Sequence, residues 1–272
     1  MIYNYFSNSV NILHFLKIFI ALSLCVSSVQ NINNSAYFSS GGLMDWAVIK
    51  GFSRITLLKG KLGEYLYNKK GFIALNILRI VILPFFCQSN NELFFFNLLF
   101  LTLVNSLIYI RTTMMHNAAD QMNNIVLIGL LISQIFVKIN SSDLVIIFFG
   151  VTLILNYFTS GISKFHQKKW HNGYYLRETL IHRNIENPSY LRVIKKIDKR
   201  VFKLSSPVVV YWQLSSVFTP FLPPALLLVF LFIGLCFHVS TGILLGLNNF
   251  IWTFIGLMST LIFINSKVYP FL

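Results

Sequence analysis

The chain has 272 residues, of which 56% are hydrophobic and only 11% are charged, and its formal net charge is +14. Soluble domains carry about 25% charged residues, so this composition, with a mean hydropathy of +0.68, excludes an ordinary soluble domain. Several apolar runs approach the ~20 residues that a helix needs to cross ~30 Å of hydrocarbon. The runs are continuously apolar rather than alternating, which argues against a β-barrel. The sequence therefore predicts an all-α, polytopic transmembrane helical bundle.

The first apolar run extends from Ile12 to Val29 and has two interpretations. Ser27 and Ser28 are small residues that could precede the cleavage site of a signal peptide. However, the preceding segment has no basic cluster, and Lys17 interrupts the run. These features favour a first transmembrane helix, and the signal peptide stays open as the alternative.

The connection over residues 30–70 becomes increasingly basic and contains a segment with helical spacing. Its apolar residues fall on one helix face: Met44, Val48, Phe52 and Ile55. Its basic residues fall on the opposite face: Lys50, Arg54 and Lys61. Trp46 suits the headgroup zone of a bilayer. The pattern predicts a helix that lies in the plane of the membrane interface.

Four apolar runs follow in quick succession, approximately at residues 71–87, 93–110, 125–137 and 144–162. The run at 125–137 is short, and we expect its helix to begin earlier, near Asp120. Pro84 is expected to kink the helix that contains it. Because the connections are short, the four helices are predicted to be antiparallel neighbours, and four crossings return the chain to its starting side.

The basic residues are concentrated in two segments. Of 22 Lys and Arg residues, six lie between Lys50 and Lys70 and eleven between Lys164 and Lys203. Both segments flank hydrophobic runs, where Lys and Arg set topology and meet anionic headgroups. This placement predicts cytoplasmic loops at 50–70 and 164–203 in the plasma (inner) membrane. It argues against nucleic acid as a partner.

The longest polar segment covers residues 165–206, and Asn187-Pro188-Ser189 indicates a turn within it. Residues with helical spacing then mark the apolar face of a basic surface helix: Ile194, Ile197, Val201 and Leu204. Beyond Pro207 the chain is apolar again, with prolines at 220, 223 and 224 that cannot continue a helix. Runs at 208–218, 225–245 and 249–264 bring the predicted number of spans to about eight.

A polar stripe closes the run at 144–162. Asn156, Ser160 and Lys164 are spaced four residues apart and share one helix face, with Thr159 and Ser163 adjoining. Such a stripe should face the bundle interior or a water-filled cavity, because lipid cannot satisfy it. A lysine shielded there can serve as a general base. The alternative is that Lys164 extends to the interface as one more positive-inside charge.

Two further polar groups are candidates for a site. His238 lies in the run at 225–245, and an intramembrane histidine suggests function by default, with a structural hydrogen bond to a neighbouring helix as the alternative. Asp120 could cap the helix that follows it or pair with a base across the bundle. Lys164, His238 and Asp120 are the predicted catalytic residues. The pattern identifies no cofactor, and no metal site is expected because the three cysteines lack the spacing of one.

Several of these residues belong to patterns that resemble a known family. Tyr157-Phe158-x-x-Gly161-x-x-Lys164, followed by Trp170-x-x-Gly173-Tyr174, resembles a signature of the HTTM family, the membrane domain shared with vitamin K-dependent γ-carboxylases. Phe237-His238 resembles the family's Phe-His, and Asn117-Ala-Ala-Asp120 is similar to its Asn-Gly-Gly-Asp. The likeness covers roughly residues 100–255. By themselves, Trp170 and Gly173 also fit an interfacial anchor and a turn.

The resemblance implies a single HTTM-like transmembrane domain over residues 1–272, with Lys164 in the place of the carboxylases' catalytic base. The carboxylases carry a large domain after the membrane part, which this sequence is expected to lack. Their functional histidine before the lysine helix has only His116 nearby. Glutamate carboxylation is therefore not expected.

In length the chain is closer to short relatives that accompany secreted peptide toxins of the sporulation-delaying type. This likeness implies a membrane-embedded enzyme or peptide-maturation factor, with the lipid bilayer and a small secreted peptide as partners. Use of a quinone stays open. The alternative is a non-catalytic membrane protein for peptide export or immunity, in which the polar groups only hold helices together.

Overall fold

The computed structural model describes residues 5–51, 59–88, 93–135, 141–183 and 188–271. Within these ranges the chain forms helices and no β-strand, which confirms the all-α prediction. The α-helices are, in chain order, α1 (Ser9–Asn33), α2 (Trp46–Ile49), α3 (Lys61–Tyr67), α4 (Lys69–Cys87), α5 (Phe94–Arg111), α6 (Ala118–Ile135), α7 (Ser141–Phe165), α8 (Lys168–His171), α9 (Tyr174–Arg183), α10 (Pro188–Lys196), α11 (Lys199–Leu214), α12 (Pro224–Leu245) and α13 (Asn248–Val268).

The helices form two compact units, each described by itself below. The first unit covers Lys17–Ser141, and the second covers Met1–Leu16 together with Ser142–Leu272. The first unit therefore holds most of α1 and all of α2 to α6. The second unit holds α7 to α13, and with them both Lys164 and His238.

Six helices in the described ranges are long and apolar enough to cross a membrane: α1, α4, α5, α7, α12 and α13. They make the chain a multi-pass membrane protein. The predicted count of about eight included two further runs. The described part of the run at 125–137 lies in α6, which begins at Ala118, as expected, but carries polar residues in its first turns. The run at 208–218 is divided between α11 and a 3₁₀ turn at Ser215–Phe221.

The predicted interfacial helix around Trp46 is wrong in the part that the structure describes. Helix α2 is a single turn, with Asp45 at its N-cap accepting from the Ala47 amide at 3.0 Å. Trp46 is buried instead of exposed to headgroups, because its ring packs against Tyr67, while Val48 is exposed. The remaining residues of the prediction, Phe52, Arg54 and Ile55, lie outside the described ranges.

The predicted basic surface helix over 194–204 is also wrong. Helix α10 ends at Lys196, and Asp198 caps a new helix by accepting from the Arg200 amide at 2.8 Å. Because the cap restarts the helix, the four apolar residues do not form one buried face: Ile194 is buried, whereas Val201 and Leu204 are exposed. Of the predicted turn at Asn187-Pro188-Ser189, Pro188 and Ser189 begin α10, a position that suits proline, and Asn187 lies outside the described ranges. Helix α4 continues past Pro84, and the kink expected there stays a prediction.

Helix α13 forms the core of the second unit and is buried on every side over Gly256–Asn265. Glycines on its neighbours permit close packing. A Cβ atom at Gly150 of α7 would lie 3.1 Å from Thr260 Oγ1, and one at Gly234 of α12 would lie 2.7 Å from a ring carbon of Trp212. Small residues of this kind let membrane helices approach closely, because association in lipid depends on packing.

A buried arginine organises the first unit. Arg79, in the middle of α4, is only 2% exposed. Its guanidinium donates to Ser28 Oγ at 2.7 Å, Asn105 Oδ1 at 2.9 Å, Ser27 Oγ at 3.2 Å and Asn76 Oδ1 at 3.5 Å. These bonds join α1, α4 and α5, because polar side chains at membrane depth must find partners within the protein. The two serines of the signal-peptide alternative thus take part in helix packing.

Candidate functional site

Lys164 continues the buried face of α7. Tyr157 and Gly161 on this face are buried, and Lys164, at the end of the helix, is half-buried. The prediction that Thr159 and Ser163 adjoin a buried polar stripe is wrong. Both are exposed, because they lie nearly opposite this face, and their hydroxyls bond to carbonyl oxygens of α7 itself.

Three acceptors and an aromatic ring surround the Lys164 ammonium group. Nζ donates to the Ser160 carbonyl at 3.2 Å, to Gln213 Oε1 at 3.0 Å and to Ser160 Oγ. The centroid of the Trp170 ring lies 5.4 Å from Nζ, within the range of a cation–π contact. Within the described ranges no carboxylate lies within 4 Å of Nζ. Since Ser160 is one turn farther from the end of α7, the side chain points back along the helix and not outward.

The residues of the Gly-x-x-Lys and Trp-x-x-Gly elements form one continuous seam against α11. We call it the α7–α11 seam, and its contacts run in antiparallel order: Gly161 with Leu214, Lys164 with Gln213, Trp170 with Ser206, and Gly173 with Phe202. The Ser206 hydroxyl donates to the Trp170 carbonyl at 2.5 Å. A Cβ atom at Gly161 would lie 2.9 Å from the Leu214 amide nitrogen. The spacing of these elements is thus explained by packing as well as by a lysine site.

His238 lies in an aromatic cluster that includes Tyr157. It is 1% exposed, its Nε2 is hydrogen-bonded to Tyr157 Oη at 2.7 Å, and its ring stacks on Phe254 with centroids 4.2 Å apart. Trp212 completes the cluster, with its ring centroid 4.9 Å from that of Tyr157. His238 Nδ1 has no hydrogen-bond partner in the described part of the chain. The histidine therefore makes the interhelical bond of the structural alternative and keeps one ring nitrogen unused.

Lys164 lies on the face of α7 that His238 contacts through Tyr157, but at a different level along the helix axis. Tyr157, the partner of His238, precedes Lys164 by two helical turns, or about 10.5 Å along the axis. Adjacent residues of α11 serve the two groups, because Trp212 packs on Tyr157 and Gln213 bonds to Lys164. The structure places them in two neighbouring clusters, each with its own hydrogen bonds.

Asp120 belongs to the first unit and lies in the first turn of α6. Its carboxylate accepts from the Asn117 amide at 3.1 Å, and Asn117 Oδ1 accepts from the Asp120 amide at 3.0 Å. This reciprocal pair is of the capping-box type, with Asn117 before the helix and Asp120 in its first turn. Asp120 thus takes part in the cap without being the cap residue itself, and its pairing with a base stays a prediction. The Asp120 charge also acts on Arg79 and His116. Burial lowers the pKa of His116, against the opposing effects of that charge and of a hydrogen bond with the Tyr109 carbonyl.

Gln213 and Tyr157 are the contacts that sequence reasoning missed as site residues. Tyr157 was part of the family-like pattern, but its bond to His238 crosses 81 positions of sequence. Gln213 is the one amide side chain in the run at 208–218. An isolated amide in such a run favours an interhelical hydrogen bond, and this was the available signal.

The bond between Tyr157 and His238 leads to a prediction. Replacing Tyr157 with phenylalanine keeps the ring packing but removes the one partner of His238 Nε2, so we expect a loss of about 1–3 kcal/mol in the free energy of unfolding. Tyr211→Phe is the control, because that side chain is exposed. Denaturant unfolding in detergent measures both variants. Equal stability of Tyr157→Phe and the parent would contradict the bond.

Comparisons of the sequence with protein-family models, with curated proteins and of the structure with solved structures found no match. The resemblance to the HTTM family thus rests on the motif residues alone. In the described ranges, no group of three or more His, Cys, Asp or Glu side chains is placed to hold a metal ion.

Proposed function

We propose that the chain is a membrane-embedded enzyme or peptide-maturation factor of the HTTM type, with Lys164 as its base. The surroundings of Nζ support this proposal because they suit both protonation states. As an ammonium group, Lys164 has three N–H donors for three acceptors. As a neutral amine, it donates to the Ser160 carbonyl and Gln213 Oε1, while the Ser160 hydroxyl rotates and donates to the nitrogen. A base must pass between these states without leaving a partner unpaired.

The substrate in this proposal is a small secreted peptide, and the acceptor of its proton is Lys164. Loops 50–70 and 164–203 lie on the cytoplasmic side of the plasma (inner) membrane, because they hold seventeen of the 22 basic residues. His238 is the second proton-handling group, held by Tyr157, with a buried Nδ1 that has no partner in the described part of the chain. Asp120 keeps its capping function in this scheme.

Two substitutions of Lys164 test the base. Lys164→Arg retains a positive charge and donors for Ser160 and Gln213 but cannot lose its proton. Lys164→Gln removes the positive charge as well as the ability to accept a proton. The protein is expressed together with a candidate small secreted peptide, and mass spectrometry compares the secreted peptide from each strain. We expect both variants to lose more than 100-fold in peptide modification, in line with the contribution of general acid–base catalysis.

Detergent extraction and thermal unfolding show whether each variant is inserted and folded. We expect Lys164→Arg to unfold within a few degrees of the parent. A Lys164→Arg strain that still produces fully modified peptide would overturn the base, because an arginine can only replace a structural lysine.

The α7–α11 seam favours a second candidate function, a non-catalytic export or immunity factor. Here Lys164 fastens α7 to α11 through Gln213, and the two glycines permit the close approach. In that case the Lys164→Arg variant protects a host from the peptide as well as the parent does. The mass of the secreted peptide is then the same with and without the protein. The same pair of strains therefore separates the two functions.

A further inference from the structure

Arg111, the last residue of α5 in the first unit, is completely buried in a chamber of aromatic rings. Its Cζ lies 5.0 Å from the centroid of Phe38, 5.6 Å from that of Phe72 and 5.7 Å from that of Trp46. Tyr67, at the end of α3, packs on Trp46 with centroids 4.5 Å apart. We refer to Phe38, Trp46, Tyr67, Phe72 and Arg111 as the arginine chamber.

Main-chain carbonyls hold one side of the guanidinium. Nε donates to the Tyr67 carbonyl at 3.1 Å, and Nη2 donates to the carbonyls of Met44 and Phe38. Nη1 is buried and has no hydrogen-bond partner in the described ranges. Nε and Nη2 of the guanidinium are thus held by carbonyl oxygens, and Nη1 is left with N–H groups that can donate to a ligand.

The charge of Arg111 is not neutralised by a contact. None of the ion pairs of the described residues includes it, and the nearby Asp45 carboxylate acts on it only at longer range. The Asp45 oxygens accept from the backbone amides of Gly41 at 2.8 Å and Ala47 at 3.0 Å, which lowers the pKa of this exposed carboxyl. The chamber therefore carries a net positive charge.

Two more polar atoms in the chamber have no partner in the part of the chain that is described. They are Trp46 Nε1 and Tyr67 Oη, and with Arg111 Nη1 they make up three of the five such buried atoms. Burial raises the pKa of Tyr67 to about 12, so its hydroxyl keeps its proton at neutral pH. Each unpaired buried donor is destabilising. The three belong to side chains that pack on one another, with Trp46 in contact with both Arg111 and Tyr67, and a ligand that accepts hydrogen bonds would satisfy them.

We propose that the arginine chamber binds a phosphate-type oxyanion, supplied by a lipid headgroup or as free phosphate. The three groups can all donate, and one carries a positive charge, so the ligand is an anion with several acceptor atoms. A phosphate group accepts from donors in three directions, which one main-chain carbonyl or amide cannot do. The chamber lies at the ends of α3 and α5 and the start of α4. Lys61, Lys69 and Lys70 are close to it in sequence, and basic residues of this kind lie where a bilayer presents its phosphates.

The test uses the full chain in a neutral detergent and follows thermal unfolding. One arm titrates inorganic phosphate against chloride at constant ionic strength. The other arm compares nanodiscs of phosphatidylcholine with nanodiscs that also contain phosphatidylglycerol. A shift of the midpoint with phosphate indicates a free anion, and a shift only with phosphatidylglycerol indicates a headgroup, because a ligand that binds the folded state raises its stability. Either result supports the site.

Trp46→Phe and Tyr67→Phe are the decisive variants, because each removes one unpaired polar atom and keeps a ring. Without the anion we expect Tyr67→Phe to be as stable as the parent, since an unsatisfied group is lost, and Trp46→Phe to be less stable because its smaller ring leaves a cavity. With the anion we expect binding to be roughly 10- to 100-fold weaker, as for a lost hydrogen bond to a charged group. Tyr65→Phe, on the exposed side of the same helix α3, should bind like the parent. Arg111 is left unchanged because it also holds three carbonyls.

Three outcomes would overturn the proposal. Chloride could shift the midpoint as much as phosphate and phosphatidylglycerol do, which would show an effect of ions in general. The parent could show no shift in either arm. Finally, Trp46→Phe and Tyr67→Phe could bind the anion as tightly as the parent, which would place the anion elsewhere.

Discussion

Replacing Gly173 with alanine is expected to lower the free energy of unfolding by about 2–5 kcal/mol. Two effects add. Gly173 has φ +77°, a conformation that costs an L-residue roughly 1–2 kcal/mol. A Cβ atom there would also overlap the Phe202 carbonyl group and lie 2.6 Å from the Lys203 amide nitrogen. Backbone cannot move aside as a flexible side chain does, so the seam would have to open, at a cost of about 1–3 kcal/mol.

Gly246→Ala is the matched control for this prediction. Gly246 has φ +68°, and a Cβ atom there would meet nothing within 4 Å, so only the backbone strain applies. Denaturant unfolding of both variants in the same detergent gives the two free energies. Their difference measures the packing of Gly173 on α11. Equal losses in the two variants would show that the close approach to Phe202 contributes nothing.

Replacing Arg79 with leucine is the second change with a large expected effect, a loss of about 2–4 kcal/mol. The substitution removes four hydrogen bonds that join α1, α4 and α5. Their acceptors are serine hydroxyls and asparagine amides, which lipid cannot satisfy. Interhelical hydrogen bonds in membranes average about 0.6 kcal/mol each, and the guanidinium bonds are stronger because the donor is charged.

Arg79→Lys and Arg200→Leu show whether the loss comes from the fork geometry. Lysine keeps the charge but presents it as a point, without the planar fork that reaches several acceptors, so we expect a loss close to that of leucine. Arg200 is exposed on α11, and its replacement should change stability by less than about 0.5 kcal/mol. A fully stable Arg79→Leu variant would mean that the cluster does not hold the first unit together.

The helices themselves were predictable, because length and apolar continuity are local properties. The run at 225–245 corresponds to Pro224–Leu245, and the run at 93–110 to Phe94–Arg111. Errors arose where a single polar residue decides the outcome. Asp198 caps a new helix after α10 ends at Lys196, and the apolar spacing across residues 194–204 gave no sign of this helix break.

The candidate site was predictable only in part. Lys164 stood out because one cation ends a long apolar helix, and His238 because it lies inside one. Their partners could not be read from spacing, since Gln213 and Tyr157 come from helices far away in sequence. Asp120 had two interpretations, a helix cap or an ion pair with a base, and its contacts place it in a capping box in which Asn117 is the cap residue.

By itself, the sequence determined that this protein is a bundle of apolar helices with its basic residues in two segments. It also showed that Lys164 is the most unusual charge among them. Only the tertiary structure showed that Lys164 is tied into a seam with α11, and that Arg111 is buried instead of anchoring a helix end. The physical reason is that charge and hydropathy are properties of single residues and short runs. The surroundings of a buried cation are set by groups brought together from distant helices.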